Sequence, residues 1–241
     1  MIEENALLPL IDRRHLALFQ DYMRYLRLSE KQFFNPAIET GLKAEKLRLL
    51  DRAVRRDFPL KNNFLARLQH AFVRENLSLY LLLDVLQGWR YYAAEKKLPN
   101  EKRFTEICGY VFAPLARLLM VLHNEGPSTY QPMTALLVSL YLMQLSENET
   151  QKVMNSKISK RNKLNKFRGL YNDSKVILQI INSKKLKFRL AKLLNLQRLK
   201  IEKMEKNKQL TIGTLDAMRI FLYSVIQFLC VKKRTICKKG I

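Results

Sequence analysis

The chain has 241 residues, enough for one large domain or two small ones with a sizeable core. Apolar residues make up 48% of it, which excludes a wholly disordered chain. The net charge of +23 is unevenly spread: residues 1–150 hold 20 Lys and Arg against 17 Asp and Glu, whereas residues 151–241 hold 24 against 4. A basic C-terminal part of this kind suits an anionic partner such as acidic lipid headgroups, phosphates or nucleic acid, and also fits plain compositional drift toward Lys, Asn and Ile. Three cysteines (Cys108, Cys230, Cys237) and three histidines (His15, His70, His123) form no CxxC or HxxxH pair, which argues against a zinc site. Sparse cysteine fits a reducing compartment.

The opening "MIEENALLPLIDRRH" is acidic first and apolar second, the reverse of a secretory signal. No apolar run reaches the ~18 residues of a membrane span. The nearest, Ile220 to Val231, is short and contains Gln227. The expected location is cytoplasmic, with a peripheral place at the inner membrane face as the variant.

Helix signals dominate from the start. Leu16, Phe19, Tyr22, Met23 and Leu26 recur at spacings of three and four, one face of a helix. Asn35-Pro36 marks a turn, after which Leu42, Leu47, Leu50 and Val54 form a second stripe that must stop before Pro59. Phe64, Leu65, Leu68 and Phe72 form a third. "LSLYLLLDVLQGWRYYAAEKK" is apolar on nearly all sides, which predicts a central helix. After Pro99-Asn100 comes "ICGYVFAPLARLLMVLH", an apolar helix with Pro114 inside it. Proline there removes a backbone donor and predicts a broken or bent helix. "NEGPSTYQP" reads as a loop and "MTALLVSLYLMQL" as another helix apolar all round.

Beyond Leu145 the texture becomes polar and basic, and residues 146–175 read as a mobile loop or weak helix. Two helical runs follow from Val176. In the second, Leu190, Leu193, Leu194, Leu196, Ile201 and Met204 form a stripe with Lys192, Lys200 and Lys203 off it. A core helix with a solvated lysine face is favoured over an amphipathic helix on a membrane surface. No internal repeat is visible. The sum is an all-α chain whose bundle encloses central helices.

Several stretches, in order, resemble the squalene/phytoene synthase family, nearest its bacterial hopanoid-pathway branch. "ALFQDYMRYLR" is similar to the family helix F-Y-x-F-x-R-x-x-D-D-x-x-D, with Phe19, Tyr22 and Arg24 on its F, F and R. "LKAEKLRLLDRAV" resembles the helix after it, and "LLDVLQGW" the L-L-D-x-x-x-x-D helix. "ICGYVFAPLARLLMVLHNE" resembles Y-C-x-x-S-A-x-P-V-G-R-L, with Ala113, Pro114 and Arg117 in place, and "LYLMQLSENETQKV" resembles A-x-Q-L-T-N-x-x-x-D. "FRLAKLLNLQRLKIEKMEK" and "AMRIFLYSVIQFL" look loosely like the last two family helices. The likeness implies one isoprenoid-synthase-like helical bundle over 1–241, around a central cavity, with a poorly matching basic segment at about 154–185. It places Tyr22, Trp89, Phe112 and Pro114 on the cavity wall, where the proline bends its helix around a long isoprenoid chain.

The family ionises an allylic diphosphate with Mg²⁺ held by Asp-rich motifs on two facing helices, a hard cation on oxygen ligands. This sequence departs at each motif. It has Arg27, Leu28, Ser29, Glu30 and Lys31 at the first, Glu147 to Gln151 ("ENETQ") at the second, and Trp89 for the central-helix aspartate, although Asp84 remains. A cation at a ligand position repels Mg²⁺. Catalytic residues therefore stay unassigned, and no cofactor is expected, with Mg²⁺ the candidate if activity survives through Glu30, Glu147 and Glu149. Arg24 and Arg27 could grip a diphosphate directly. The Trp89-Arg90-Tyr91-Tyr92 cluster could stack on a ligand, though core packing is the commoner use of such residues. No Gly-rich phosphate loop and no G-x-S-x-G is present.

The expected function is a squalene/phytoene synthase-like protein impaired in turnover, holding a lipid or prenyl diphosphate or acting as a scaffold. The alternatives are an active prenyltransferase with atypical metal ligands, and a non-enzymatic protein like the respiratory-complex assembly factors of the family. Two more are a basic binder of an anionic membrane surface through residues 151–241, nucleic acid being the less favoured target, and a decaying gene product. Substrate and oligomeric state stay open.

Overall fold

The structure is a computed structural model that describes residues 2, 4–34, 40–55, 63–95, 100–147, 160–206 and 215–225. Regular structure among the described residues is entirely helical, as the periodicity requires. The helices are α1 (Glu4–Leu7), α2 (Leu16–Phe34), α3 (Thr40–Arg55), α4 (Asn63–Arg74), α5 (Tyr80–Ala94) and α6 (Glu101–Val121). They continue as α7 (Tyr130–Glu147), α8 (Lys160–Lys175), α9 (Ile177–Ile180), α10 (Lys184–Glu205) and α11 (215–225). The chain forms two compact units, Met1–Leu122 and His123–Ile241.

In the first unit α5 is the hub, packing on α2, α3 and α6, while α4 lies on α2. The α2 stripe is buried at Phe19, Tyr22, Met23 and Leu26, but Leu16 at its start is exposed. The α4 stripe (Phe64, Leu65, Leu68, Phe72) is buried throughout. In α3 only Leu47 and Val54 are fully buried, and Leu42 is exposed. The hub is less symmetrical than its sequence suggests. It buries Leu81, Leu82, Val85, Leu86 and Trp89, yet leaves Tyr80, Gln87 and Tyr91 in water along one edge.

α6 starts on Asn100, whose side-chain oxygen accepts the Arg103 amide at 2.9 Å. It runs unbroken through Pro114. The proline deprives only the Tyr110 carbonyl of its intrahelical donor. At that point α5 approaches closely, because Gly88 has no side chain: a Cβ there would stand 3.1 Å from the Tyr110 carbonyl carbon. Among the described residues α6 has the one span, Lys102–Val121, that is long and apolar enough to cross a membrane, but 61% of it is buried within the protein, as in a core helix.

In the second unit α7 packs on α8 and α10, and α8 on α10. α7 buries Met133, Leu136, Leu137, Val138, Leu140 and Met143, consistent with its all-round apolar sequence. Residues 160–175, which read from sequence as loop or weak helix, form the regular helix α8; residues 148–159 lie outside the described set. The reason is a narrow stripe (Leu164, Phe167, Leu170, Tyr171, Ser174) hidden among Asn, Lys and Arg, of which Phe167 and Ser174 are buried. α10 is the expected core helix, with Leu190, Leu193, Leu194 and Ile201 buried. Its interior carries a polar set. Gln197 donates to the Ser139 hydroxyl, and Ser174 donates to the Tyr171 carbonyl at 3.0 Å and to Gln197 Oε1 at 3.4 Å.

Candidate functional site

The candidate residues gather in the first unit around α2 and α5. Tyr22 and Tyr25 are fully buried and anchor α2 to the hub: their hydroxyls donate to the Leu81 carbonyl at 3.1 Å and the Leu82 carbonyl at 2.8 Å. Burial, with the Asp84 charge adding, pushes the Tyr22 hydroxyl well above the usual tyrosine range. Burial does the same to Tyr25, with Tyr22 and Asp51 adding and Arg90 opposing. Both phenols are neutral donors at physiological pH, and neither can serve as a base.

Beside them lie two ion-pair groups. The Asp51 carboxylate accepts from Arg90 at 2.8 Å and from Arg55 at 3.0 Å. Burial raises the Asp51 carboxyl, but the hydrogen bonds from Arg90 and Arg55, with their charges, outweigh it and hold the group below its usual range. Asp84, the aspartate retained in the L-L-D stretch, faces Arg117 at 3.5 Å across α5 and α6, with both side chains about half exposed. In the sequence Arg90 reads as part of an aromatic cluster. Its use as the partner of Asp51 is visible only once α3 and α5 are brought together. The i, i+4 spacing of Asp51 and Arg55 is the one local hint.

Arg24 and Arg27 both stand on the exposed ridge of α2. The Arg24 guanidinium lies 4.8 Å from the centre of the Phe64 ring, and Arg27 donates to Glu4 at 2.7 Å. Tyr22, Trp89, Phe112 and Pro114 are all buried. Trp89 packs in the core and meets Tyr92 edge to face at 6.4 Å, whereas Tyr91 is exposed and lies against Tyr110 at 4.9 Å. Of the isolated histidines, His15 is buried with Nε2 3.4 Å from Glu75.

The α2 donor set does not fit a divalent cation. Arg27 and Lys31 bring positive charge, and Ser29 is buried with its hydroxyl donated to the Tyr25 carbonyl at 2.7 Å. Among the described residues no three His, Cys, Asp or Glu side chains come together as a metal site. Glu147 ends α7, and Asn148, Glu149, Thr150 and Gln151 of the second motif lie outside the described residues. The described arrangement offers the exposed guanidinium groups of Arg24 and Arg27, a chemistry that can hold an anion, whereas the Tyr22 and Tyr25 hydroxyls are already given to the Leu81 and Leu82 carbonyls.

No known family profile and no curated protein sequence matches this chain. A solved structure does: a dehydrosqualene synthase, crystallised in complex with ligand, at 15% identity over 94% of this chain and 91% of that one, with a TM-score of 0.66. At that identity the likeness establishes the fold, and the chain has the helical isoprenoid-synthase architecture.

Proposed function

We propose that the protein binds a prenyl diphosphate or a related isoprenoid lipid without ionising it. The observation that carries this reading is the α2 ridge. In a fold shared with a dehydrosqualene synthase, the positions that resemble the Asp-rich motif hold Arg27, Leu28 and Lys31. Ionising an allylic diphosphate requires stabilising the charge on the leaving diphosphate. Arg24 and Arg27 supply positive charge with a fork of donors, which suits ground-state binding of the phosphates. Arg27 would exchange Glu4 for the ligand, an ion pair that is cheap to break at a half-exposed surface.

The test is incubation of the full chain with farnesyl diphosphate, with and without Mg²⁺, read by product analysis, diphosphate release and thermal shift. A thermal shift without product is the expected result, and Arg24→Glu with Arg27→Glu should abolish that shift. Condensed product or released diphosphate would replace this reading with that of an active prenyltransferase using atypical metal ligands. No shift at all would remove the ligand.

A further inference from the structure

α11 is an eleven-residue helix that, among the described residues, meets α10 along one face. Asn195 donates to the buried Ser224 hydroxyl at 3.0 Å, and Lys203 pairs with Asp216. Phe221 meets Phe188 edge to face at 6.3 Å, with the Lys192 ammonium over both rings. The Arg198 guanidinium lies 5.3 Å from the centre of the Tyr223 ring. Asp216, Ile220 and Ser224, four residues apart, define this docked side.

The opposite side is apolar and open. Leu215 is 77% exposed, Met218 65% and Leu222 59%. At about 100° per residue the three lie within ~60° of arc, centred opposite Ile220. A helix face that a fold leaves open is normally polar; three large apolar side chains in register mark an interaction surface. Two facts say what covers it. Residues 184–241 hold sixteen Lys and Arg against three Asp and Glu, so this part of the sequence is strongly cationic. Residues 226–241 add five of those cations and no acid. A second copy of this chain would bring like charge to like charge. Nucleic acid would use the cations but has no use for the apolar stripe. An anionic lipid surface uses both: acyl chains take the apolar side chains and headgroups take the lysines and arginines.

We propose that the Leu215–Met218–Leu222 face of α11 docks in the plane of an anionic membrane, flanked by the basic residues of the C-terminal third. This does not depend on prenyl-diphosphate binding in the first unit. The orientation follows from the geometry: α10 lies above the interface with its buried Asn195–Ser224 contact intact, and α11 lies flat, its apolar side down.

The test is flotation of the full chain with vesicles of neutral phosphatidylcholine, alone or with about 30% phosphatidylglycerol, in low salt and in roughly 0.5 M salt. The chain should float with the anionic vesicles and lose most of its binding in high salt. The Leu215→Asp/Met218→Asp/Leu222→Asp variant should bind more than tenfold less, with an unchanged far-ultraviolet dichroism spectrum. A matched variant in the first unit, Leu42→Asp/Leu49→Asp, should bind as the wild type does. As a second reading, the tryptophan introduced by Leu222→Trp should shift its emission to the blue when anionic vesicles are added. Failure of the wild-type chain to float, equal binding by the triple variant, or an unmoved emission from the Leu222→Trp variant would each overturn the proposal. So would light scattering that shows a dimer which the triple variant dissociates, because the face would then belong to a second copy.

Discussion

Gly88 of α5 stands so close to Val111 of α6 that a Cβ on it would fall 2.8 Å from Val111 Cγ2 and 2.9 Å from the Val111 backbone nitrogen. The first contact could be relieved by a rotamer change. The second cannot, because it is to backbone inside a helix. The glycine therefore sets the distance between the two helices that carry Asp84 and Arg117.

Gly88→Ala is expected to destabilise the protein, although alanine is the better helix former by about 1 kcal/mol. Forcing the helices apart costs about 1–3 kcal/mol in a packed core, so the steric term wins. Urea unfolding should show a lower midpoint. A second glycine substitution supplies the control: Gly169→Ala on α8 meets nothing within 4 Å and should stabilise the chain or leave it unchanged. If both substitutions behave alike, the close approach is not what Gly88 provides.

Asp51 ties α3 to the hub through Arg90, and its carboxyl is held below the usual range. An acid whose folded value is depressed adds stability that is present above the unfolded value, about 3.9, and is lost as pH falls through the folded value. Acid unfolding below about pH 4 should therefore be shallower in Asp51→Asn. At neutral pH that variant should lose about 1 kcal/mol, since Asp51 is mostly buried but Arg55 and Arg90 are partly in water. The check is urea denaturation from pH 3 to pH 7; parallel but offset curves would show that Asp51 ionisation is not linked to folding, and coincident curves that the pair does not stabilise the fold.

How far the sequence announces these features depends on how local they are. The α4 stripe is legible because all four apolar residues face one way and the structure buries each of them. The buried face of α2 is legible for the same reason, whereas its hydroxyl anchors are not, since Tyr22 and Tyr25 reach carbonyls 59 and 57 residues away. Asp51 and Arg90 are 39 residues apart and meet only through helix packing. Composition hides α8, its five stripe residues diluted among polar ones. Pro114 suggests a broken or bent helix; one missing donor is a small loss in a helix packed along its length, and α6 continues unbroken. The alignment of Arg27 and Lys31 with the Asp-rich motif is legible at sequence level alone, and on it rests the proposed separation of binding from turnover.

Tyr22 and Tyr25 give the alkaline counterpart of Asp51. Their folded values are raised, chiefly by burial, so they contribute stability that is complete below about pH 10 and is lost as pH rises beyond it. Tyr22→Phe should cost about 1 kcal/mol at neutral pH through the lost hydrogen bond to Leu81. It should also make the fall in stability above pH 10 less steep. The absorbance of ionised tyrosinate during an alkaline titration is the direct readout: Tyr22 and Tyr25 should be among the phenols that ionise only as the fold is lost, together with the raised Tyr92 and Tyr171, and in Tyr22→Phe/Tyr25→Phe that late step should shrink by two phenols.

Glu125 is a buried carboxylate whose partners are backbone groups of the turn before α10. It accepts from the Asn182 amide at 3.0 Å, the Ser183 amide at 2.8 Å and the Asn182 side chain at 3.4 Å. Ser183 is the N-cap of α10, and its own hydroxyl accepts the Leu186 amide at 3.2 Å. The carboxylate thus ends one segment and opens another, where the helix dipole also favours negative charge. Glu125→Ala strands two amides in a part-buried turn and should cost about 2–3 kcal/mol, while Glu125→Gln keeps one acceptor oxygen and should cost about half as much. Hydrogen exchange localises the effect: the amides of Asn182 and Ser183 should lose protection first in Glu125→Ala, ahead of those in the middle of α10. Uniform loss of protection along the helix would mean that Glu125 supports the second unit as a whole and does not cap this turn.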